Sequence, residues 1–216
     1  MAREYRQRLR AQSADLTRRR ILDAVHRCLV ETPSEPVTME KVAQLADVSR
    51  STIYTAFGTR TGLFAAFAAN LLRHIDLTEA VRNPDARRAL RDAISGNVHV
   101  YATHRDVLRA LFSMARLDTA AVGGTIRRLE RERAQGLAVL ARRLREQGVL
   151  RDGITTDHAA HVLWLHTSFD AFDLLLTGRS LNAGTVAAVL IDATTQILCR
   201  PNGVAWRTPP WPSRAP

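Results

Sequence analysis

Residues Thr38 to Arg60, TMEKVAQLADVSRSTIYTAFGTR, constrain this 216-residue chain more than any other stretch. Thr38 suits an N-cap, and Glu40 sits in the first turn, where a carboxylate favours the helix dipole. Val42, Leu45 and Ala46 then recur at helical spacing, so one face is apolar. Asp47-Val48-Ser49 breaks the pattern. Ser49 can cap a second helix from Arg50 to Ala56, and Gly58, just beyond Phe57, suits the position after a helix end. Ile53, Ala56 and Phe57 share the inward side, which leaves Arg50, Ser51, Thr52 and Thr55 pointing out and Tyr54 at the margin. Two short helices around a polar turn also occur in helical proteins that never meet nucleic acid. A first turn offering one arginine and several hydroxyls nevertheless fits a groove-reading helix. Arginine bonds guanine bidentately, and Ser or Thr reaches bases or phosphates.

Charge points the same way. Lys and Arg number 31 against 21 Asp and Glu, a formal net charge of +10, and Lys41 is the only lysine. Such a balance favours an anionic partner, and arginine suits phosphate and guanine. General codon bias would produce the same excess, so location matters more than amount. Residues 1–20 hold Arg3, Arg6, Arg8, Arg10, Arg18, Arg19 and Arg20 against Glu4 and Asp15, a local balance of +5. Residues 1–14 read as a basic N-terminal arm.

Other classes find little support. Cys28 and Cys199 have no spacing for a metal or redox pair and read as buried free thiols of a cytoplasmic protein. The charged N-terminus lacks the apolar region of a signal peptide. The most apolar segment, 159–176, is broken by His161, His166, Asp170 and Asp173 and makes a poor membrane span. No nucleophile motif, phosphate loop or metal-ligand spacing is present, so no enzymatic activity, cofactor or metal is expected.

Beyond residue 76 every segment before the tail reads as helix, and no alternating strand pattern appears. A first helix is expected from Asp15 or Thr17 to Glu31, ended by Thr32-Pro33. A helix through Leu63, Phe64, Phe67, Leu71 and Leu72 should end near Ile75. Beyond it, helices are expected from Asn83-Pro84-Asp85 to Thr103, after His104, from Thr125 to Gln147 behind a break or hinge at Gly123-Gly124, from Thr155 or Thr156 to Thr177, and from Ala183 to Cys199. The tail 200–216 holds five of the eight prolines and excludes regular structure.

ILDAVHRCLVET followed by VTMEKVAQLADVSRSTIYTAFGTRTGLFAAF resembles the N-terminal domain of the TetR (tetracycline repressor) family, most specifically in the order Val48-Ser49, Ile53-Tyr54, Phe57-Gly58, Leu63. Arg60 stands where the family commonly has lysine, and Thr32-Pro33 where glycine often ends the first helix. The resemblance implies an all-α protein: a three-helix helix-turn-helix domain, then a helical-bundle regulatory domain that dimerises and binds an effector. The expected divisions are the arm 1–14, a DNA-binding domain 15–58, an effector and dimerisation domain 59–199, and the Pro-rich tail 200–216. The expected function is a ligand-released repressor binding a palindromic double-stranded DNA operator as a homodimer. The rival is a helical ligand-binding protein or enzyme with an incidental helix-turn-helix.

Resemblance and geometry together assign residues. Thr38, Tyr54 and Arg60 would hold phosphates, with Ser49 at the cap between them. Arg50, Ser51, Thr52 and Thr55 would reach base edges. The segments 155–177 and 183–199 are the expected dimer surface, since a helix apolar almost all round must be covered on several sides; a central helix of a monomeric bundle is the alternative. An unknown small-molecule effector follows from the resemblance alone, with Asn97, Tyr101, Phe112, Met114 and Trp164 as wall candidates. His166 and Asp170 belong, with Asp173 and Thr177, to a polar stripe along 155–177. That stripe reads as a metal site or a polar pocket wall, or, as preferred, a His–carboxylate pair at the subunit seam or solvent edge. Core packing explains each wall candidate equally well.

Overall fold

The computed structural model describes residues 2–32, 35–71 and 83–201. Ten α-helices follow one another among them: α1 (Ala2–Glu31), α2 (Met39–Ala46), α3 (Arg50–Phe57), α4 (Arg60–Leu71), α5 (Ala86–Thr103), α6 (Arg105–Leu117), α7 (Gly124–Glu146), α8 (Thr156–His166), α9 (Phe169–Gly178) and α10 (Ala183–Leu198). The described residues contain no strand, only one antiparallel bridge between Leu150 and Cys199. The protein is all-α, with a helix-turn-helix head followed by a helical bundle.

Helix starts follow short polar side chains. Thr38, Ser49, Asp85, Thr155, Ser168 and Asn182 each accept a backbone N–H from the first turn of the helix they precede. One core runs through the molecule. Ile21, Val25, Leu29, Val42, Ile53, Leu63 and Phe64 fill the head, and Leu90, Ile94, Leu111, Leu137, Leu140, Phe172 and Leu190 fill the bundle. α1 packs on α2 and α6, and α4 packs on α3 and α7, so the head is seated on the bundle. Cys28 and Cys199 are buried free thiols, and burial pushes both up from the ordinary thiol value.

Three expectations are corrected. The first helix begins at Ala2 rather than at Asp15 or Thr17, because no Pro or Gly interrupts residues 2–31. Residues 7–9 and 11–16 of this extension are all exposed. Gly123-Gly124 is no break: a π-helical turn, Thr119–Gly123, feeds straight into α7. The expected helix from Thr155 to Thr177 is two helices. Ser168 caps α9 through Ala171 N–H at 3.1 Å, so the chain restarts there. The expected run of α4 through Leu72 to Ile75 and the tail with Trp206 and Trp211 lie outside the described residues.

Candidate nucleic-acid interface

The turn between α2 and α3 is built from local chemistry. Thr38 Oγ1 accepts Lys41 N–H at 3.2 Å, which fixes the start of α2. Asp47 closes it in the left-handed region at φ 50°, a conformation its short polar side chain tolerates. Ser49 Oγ accepts Thr52 N–H at 3.1 Å and lies 2.7 Å from Ser51 Oγ and 2.8 Å from Thr52 Oγ1. Gly58, at φ 74°, ends α3 where a side chain would be strained.

Two arginines counted with the basic arm close this unit. Arg20 donates to the carbonyls of Ala46, at 2.6 Å, and Asp47, at 3.1 Å, satisfying the end of α2. Arg18 donates to the Ala56 carbonyl at the end of α3 and lies over the Phe57 ring, 4.3 Å from its centre. Their charges remain on the head while their hydrogen bonds hold its shape.

α3 buries Ile53 and turns the opposite face outward. Arg50, Ser51, Tyr54 and Thr55 are exposed at helical spacing, so Tyr54 belongs to the outward face rather than its margin. Thr52 is half-buried and its hydroxyl is engaged with Ser49. Thr55 Oγ1 donates back to the Ser51 carbonyl at 2.9 Å, which leaves its lone pairs outward. Arg50 Nη1 lies 2.6 Å from Glu40 Oε1, a solvent-exposed pair that aims the guanidinium without burying it. Thr38 is exposed at the α2 start.

Arg60 stands at the first residue of α4, where Thr59 Oγ1 accepts Gly62 N–H at 2.9 Å. Its guanidinium is not directed to solvent alone. It donates to the Asp118 carboxylate and, at 3.1 Å, to the Val37 carbonyl, and it lies over the Phe64 ring at 5.2 Å.

The candidate effector residues divide. Asn97 Nδ2 and Tyr101 Oη both donate to the Thr167 carbonyl, at 3.4 and 3.0 Å, and burial pushes the Tyr101 phenol up to about 12. Phe112 stacks on Phe169 at 5.3 Å, and Tyr101 meets the same ring edge-on at 5.6 Å. Met114 is half-buried on the same helix as Phe112. Trp164 is exposed, its ring under the Arg133 guanidinium at 5.2 Å. His166 and Asp170 lie on either side of the α8–α9 break and have different partners. His166 Nδ1 meets Thr194 Oγ1 of α10 at 2.8 Å, not a carboxylate, and burial lowers its basicity. Asp170 is exposed toward Arg116 at 3.7 Å.

Sequence reading missed the polar centre of the bundle. Arg133 is buried on α7, donating to Glu130, to the Trp164 carbonyl at 2.9 Å and to Thr167 Oγ1 at 2.7 Å. A signal was available, for Arg133 falls on the apolar stripe of Ile126, Leu137, Leu140 and Leu144, with Glu130 three residues before it. A second group joins α6 to α9: Arg105 and Arg109 both bond Asp173 and Thr177. Among the described residues no group of three or more His, Cys, Asp and Glu is placed to hold a metal, and no helix is long and apolar enough to cross a membrane.

Comparison with known proteins agrees with this geometry. Residues 21–67 match the model for bacterial regulatory proteins of the tetR family. An HTH-type transcriptional regulator of Bacillus subtilis (strain 168), YdeS, is 25% identical over 188 residues, covering 82% of this chain and 87% of that protein. SmeT in complex with triclosan superposes with a TM-score of 0.72 at 19% identity, covering 92% of this chain and 99% of that one. NalD, the secondary repressor of the MexAB-OprM multidrug efflux pump in Pseudomonas aeruginosa, superposes with a TM-score of 0.67 at 21% identity, covering 85% and 97%.

Proposed function

We propose that this chain is a DNA-binding transcription regulator of the tetR family of bacterial regulatory proteins, whose model residues 21–67 match, and that it acts as a dimeric, ligand-released repressor. The observation that carries the DNA-reading part is the outward face of α3. Arg50, Ser51, Tyr54 and Thr55 stand exposed on a helix whose other side is sealed by Ile53 and whose ends are capped. On this reading Arg50 and the hydroxyls of Ser51, Thr52 and Thr55 meet base edges, while Thr38, Tyr54 and Arg60 meet phosphates around the Ser49 cap. Residues 15–58 are, on this reading, the DNA-binding domain and 59–199 the regulatory and dimerising domain, with the start of α4, a helix packed on α1 and α3, as part of the head. The exposed side chains of α1 at residues 7–9 and 11–16 leave that basic extension free to follow the DNA backbone.

A single head buries too little surface for selective binding, so two heads set about 34–36 Å apart on successive major grooves are required. Dimerisation through α8–α10 fits the exposed Trp164, Leu165, Leu174 and Ile197 there. Effector release is supported by the aromatic and polar centre around Thr167, and by the solved relative SmeT being in complex with triclosan. NalD being a repressor supports the sign.

Fluorescence anisotropy on duplexes recovered by in vitro selection tests the assignment. Arg50→Ala should change which sequences are selected. Arg60→Ala should weaken all duplexes alike and reduce the slope of log K against log salt by about 0.9, one phosphate contact. Parent-like selection by the first variant together with parent-like affinity of the second would remove both roles.

A further inference from the structure

Arg60 is the cation proposed above for a DNA phosphate, yet its partners here come from elsewhere in the chain. One end of the guanidinium donates to Asp118 and the other to the Val37 carbonyl at 3.1 Å. Both members of the ion pair are mostly covered, with side-chain exposures of 31% and 27%, so solvent and salt screen it less than an ordinary surface pair. A phosphate oxygen arriving at this guanidinium would meet a carboxylate of its own sign already in place. The two anions compete for one set of donors.

Asp118 does not belong to the reading head. It closes α6, where its N–H donates to the Met114 carbonyl at 2.7 Å, and its own carbonyl accepts from Val122 N at 3.2 Å and Gly123 N at 3.0 Å in the π turn. Single π turns are uncommon and frequently lie at functional sites. This one packs against α4, α6 and α7 together. Upstream, α6 carries Phe112 and Met114, and Arg105 and Arg109 tie it to α9 through Asp173. The carboxylate is therefore placed by the helix that lines the bundle's aromatic centre, and it acts on the cation of the head.

We propose that Asp118 is an autoinhibitory latch. Its carboxylate sequesters Arg60 from the DNA backbone, operator binding requires the pair to open, and the position of α6 sets how readily it opens. The proposal rests on the phosphate role of Arg60, and the experiment separates the two.

The full chain is measured by anisotropy on a labelled random-sequence duplex and on a duplex recovered by in vitro selection, across a salt series. Asp118→Asn should bind both about fivefold tighter or more while keeping close to the parent's salt slope, since the Arg60–phosphate contact forms in both complexes. Asp118→Glu, which keeps the charge, should bind like the parent. Arg60→Gln should weaken binding, and adding Asp118→Asn to Arg60→Gln should change nothing further, since the latch then has nothing to hold. Asp118→Ser, also neutral and able to close a helix, repeats the test if the amide disturbs the π turn, with thermal melts checking each fold. If Arg60→Gln weakens binding but neither neutral variant tightens it, the latch is wrong and the phosphate role stands. If the tightening persists in the Arg60→Gln background, it reflects net charge and the latch is equally wrong. If Arg60→Gln binds like the parent, both ideas fall.

Discussion

At the scale of single residues, Gly62 is the most exacting position in the head. It lies in the first turn of α4, and a Cβ built there would fall far inside contact distance of the Phe57 carbonyl oxygen, which belongs to backbone and cannot swing away. Thr59 N–H already bonds that same carbonyl at 2.9 Å, so the α3–α4 junction is closed against itself. Gly62→Ala should cost about 1–3 kcal/mol through forced backbone displacement, lowering Tm by several degrees in a calorimetric scan. An unchanged Tm would mean that the junction yields freely. The arginines make a different point about legibility. Arg18, Arg20, Arg50 and Arg60 all stand out in the sequence as charge near the motif, and all four lie on the head. Counting charge could not tell that Arg18 and Arg20 close helix ends, or that Arg60 pairs with a carboxylate 58 residues away. Those partners arise from packing, and no local spacing encodes them.

At the scale of elements, helix identity was legible where an apolar stripe and a capping residue coincided, as at Thr38, Ser49 and Asp85. It failed between Thr155 and Thr177 for a physical reason. Ser and Thr are tolerated inside helices, so Thr167-Ser168 gives no local instruction to stop. The break becomes stable because tertiary groups take the carbonyls it frees: Arg133 bonds that of Trp164, and Asn97 and Tyr101 bond that of Thr167. Beyond the break, Asp173 turns toward α6. Burial would raise its pKa, but hydrogen bonds and charge from Arg109 and Arg105 outweigh that and hold it below the usual carboxylate value. A carboxylate depressed in the folded state adds stability that is fully present above its unfolded value, about pH 4, and is lost as pH falls through the folded one. Asp173→Asn should therefore be less stable than the parent at neutral pH, by roughly 1–3 kcal/mol, with the gap narrowing below pH 4. Urea titrations at both ends of that window measure it. A gap independent of pH would show that the clamp does not depend on the ionised carboxylate.

For the whole molecule, the all-helical plan and the division into head and bundle were readable, because a 3.6-residue apolar period persists from Ile21 to Leu198. What the period cannot say is which apolar side chains the chain leaves uncovered. Leu174 is 70% exposed and Leu165 56%, with Trp164 and Ile197 also uncovered nearby in the sequence of helices α8–α10. Soluble monomers seldom leave several large apolar residues open on successive elements, whereas a partner's matching surface would remove them from water. A stable interface needs about 800 Å² from each copy, so in the proposed dimer these side chains would supply only part of it, placed at its centre. Leu174→Asp places a charge at that centre without touching the core beneath. Sedimentation velocity should find the parent dimeric at micromolar concentration and the variant monomeric. The two should then differ most on DNA that needs two heads. The variant loses the effective concentration that links one half-site to the next, so selected palindromic duplex should be bound far more weakly while random duplex changes little. Equal losses on both duplexes would point to a damaged head, and a monomeric parent would remove the dimer from the reading altogether.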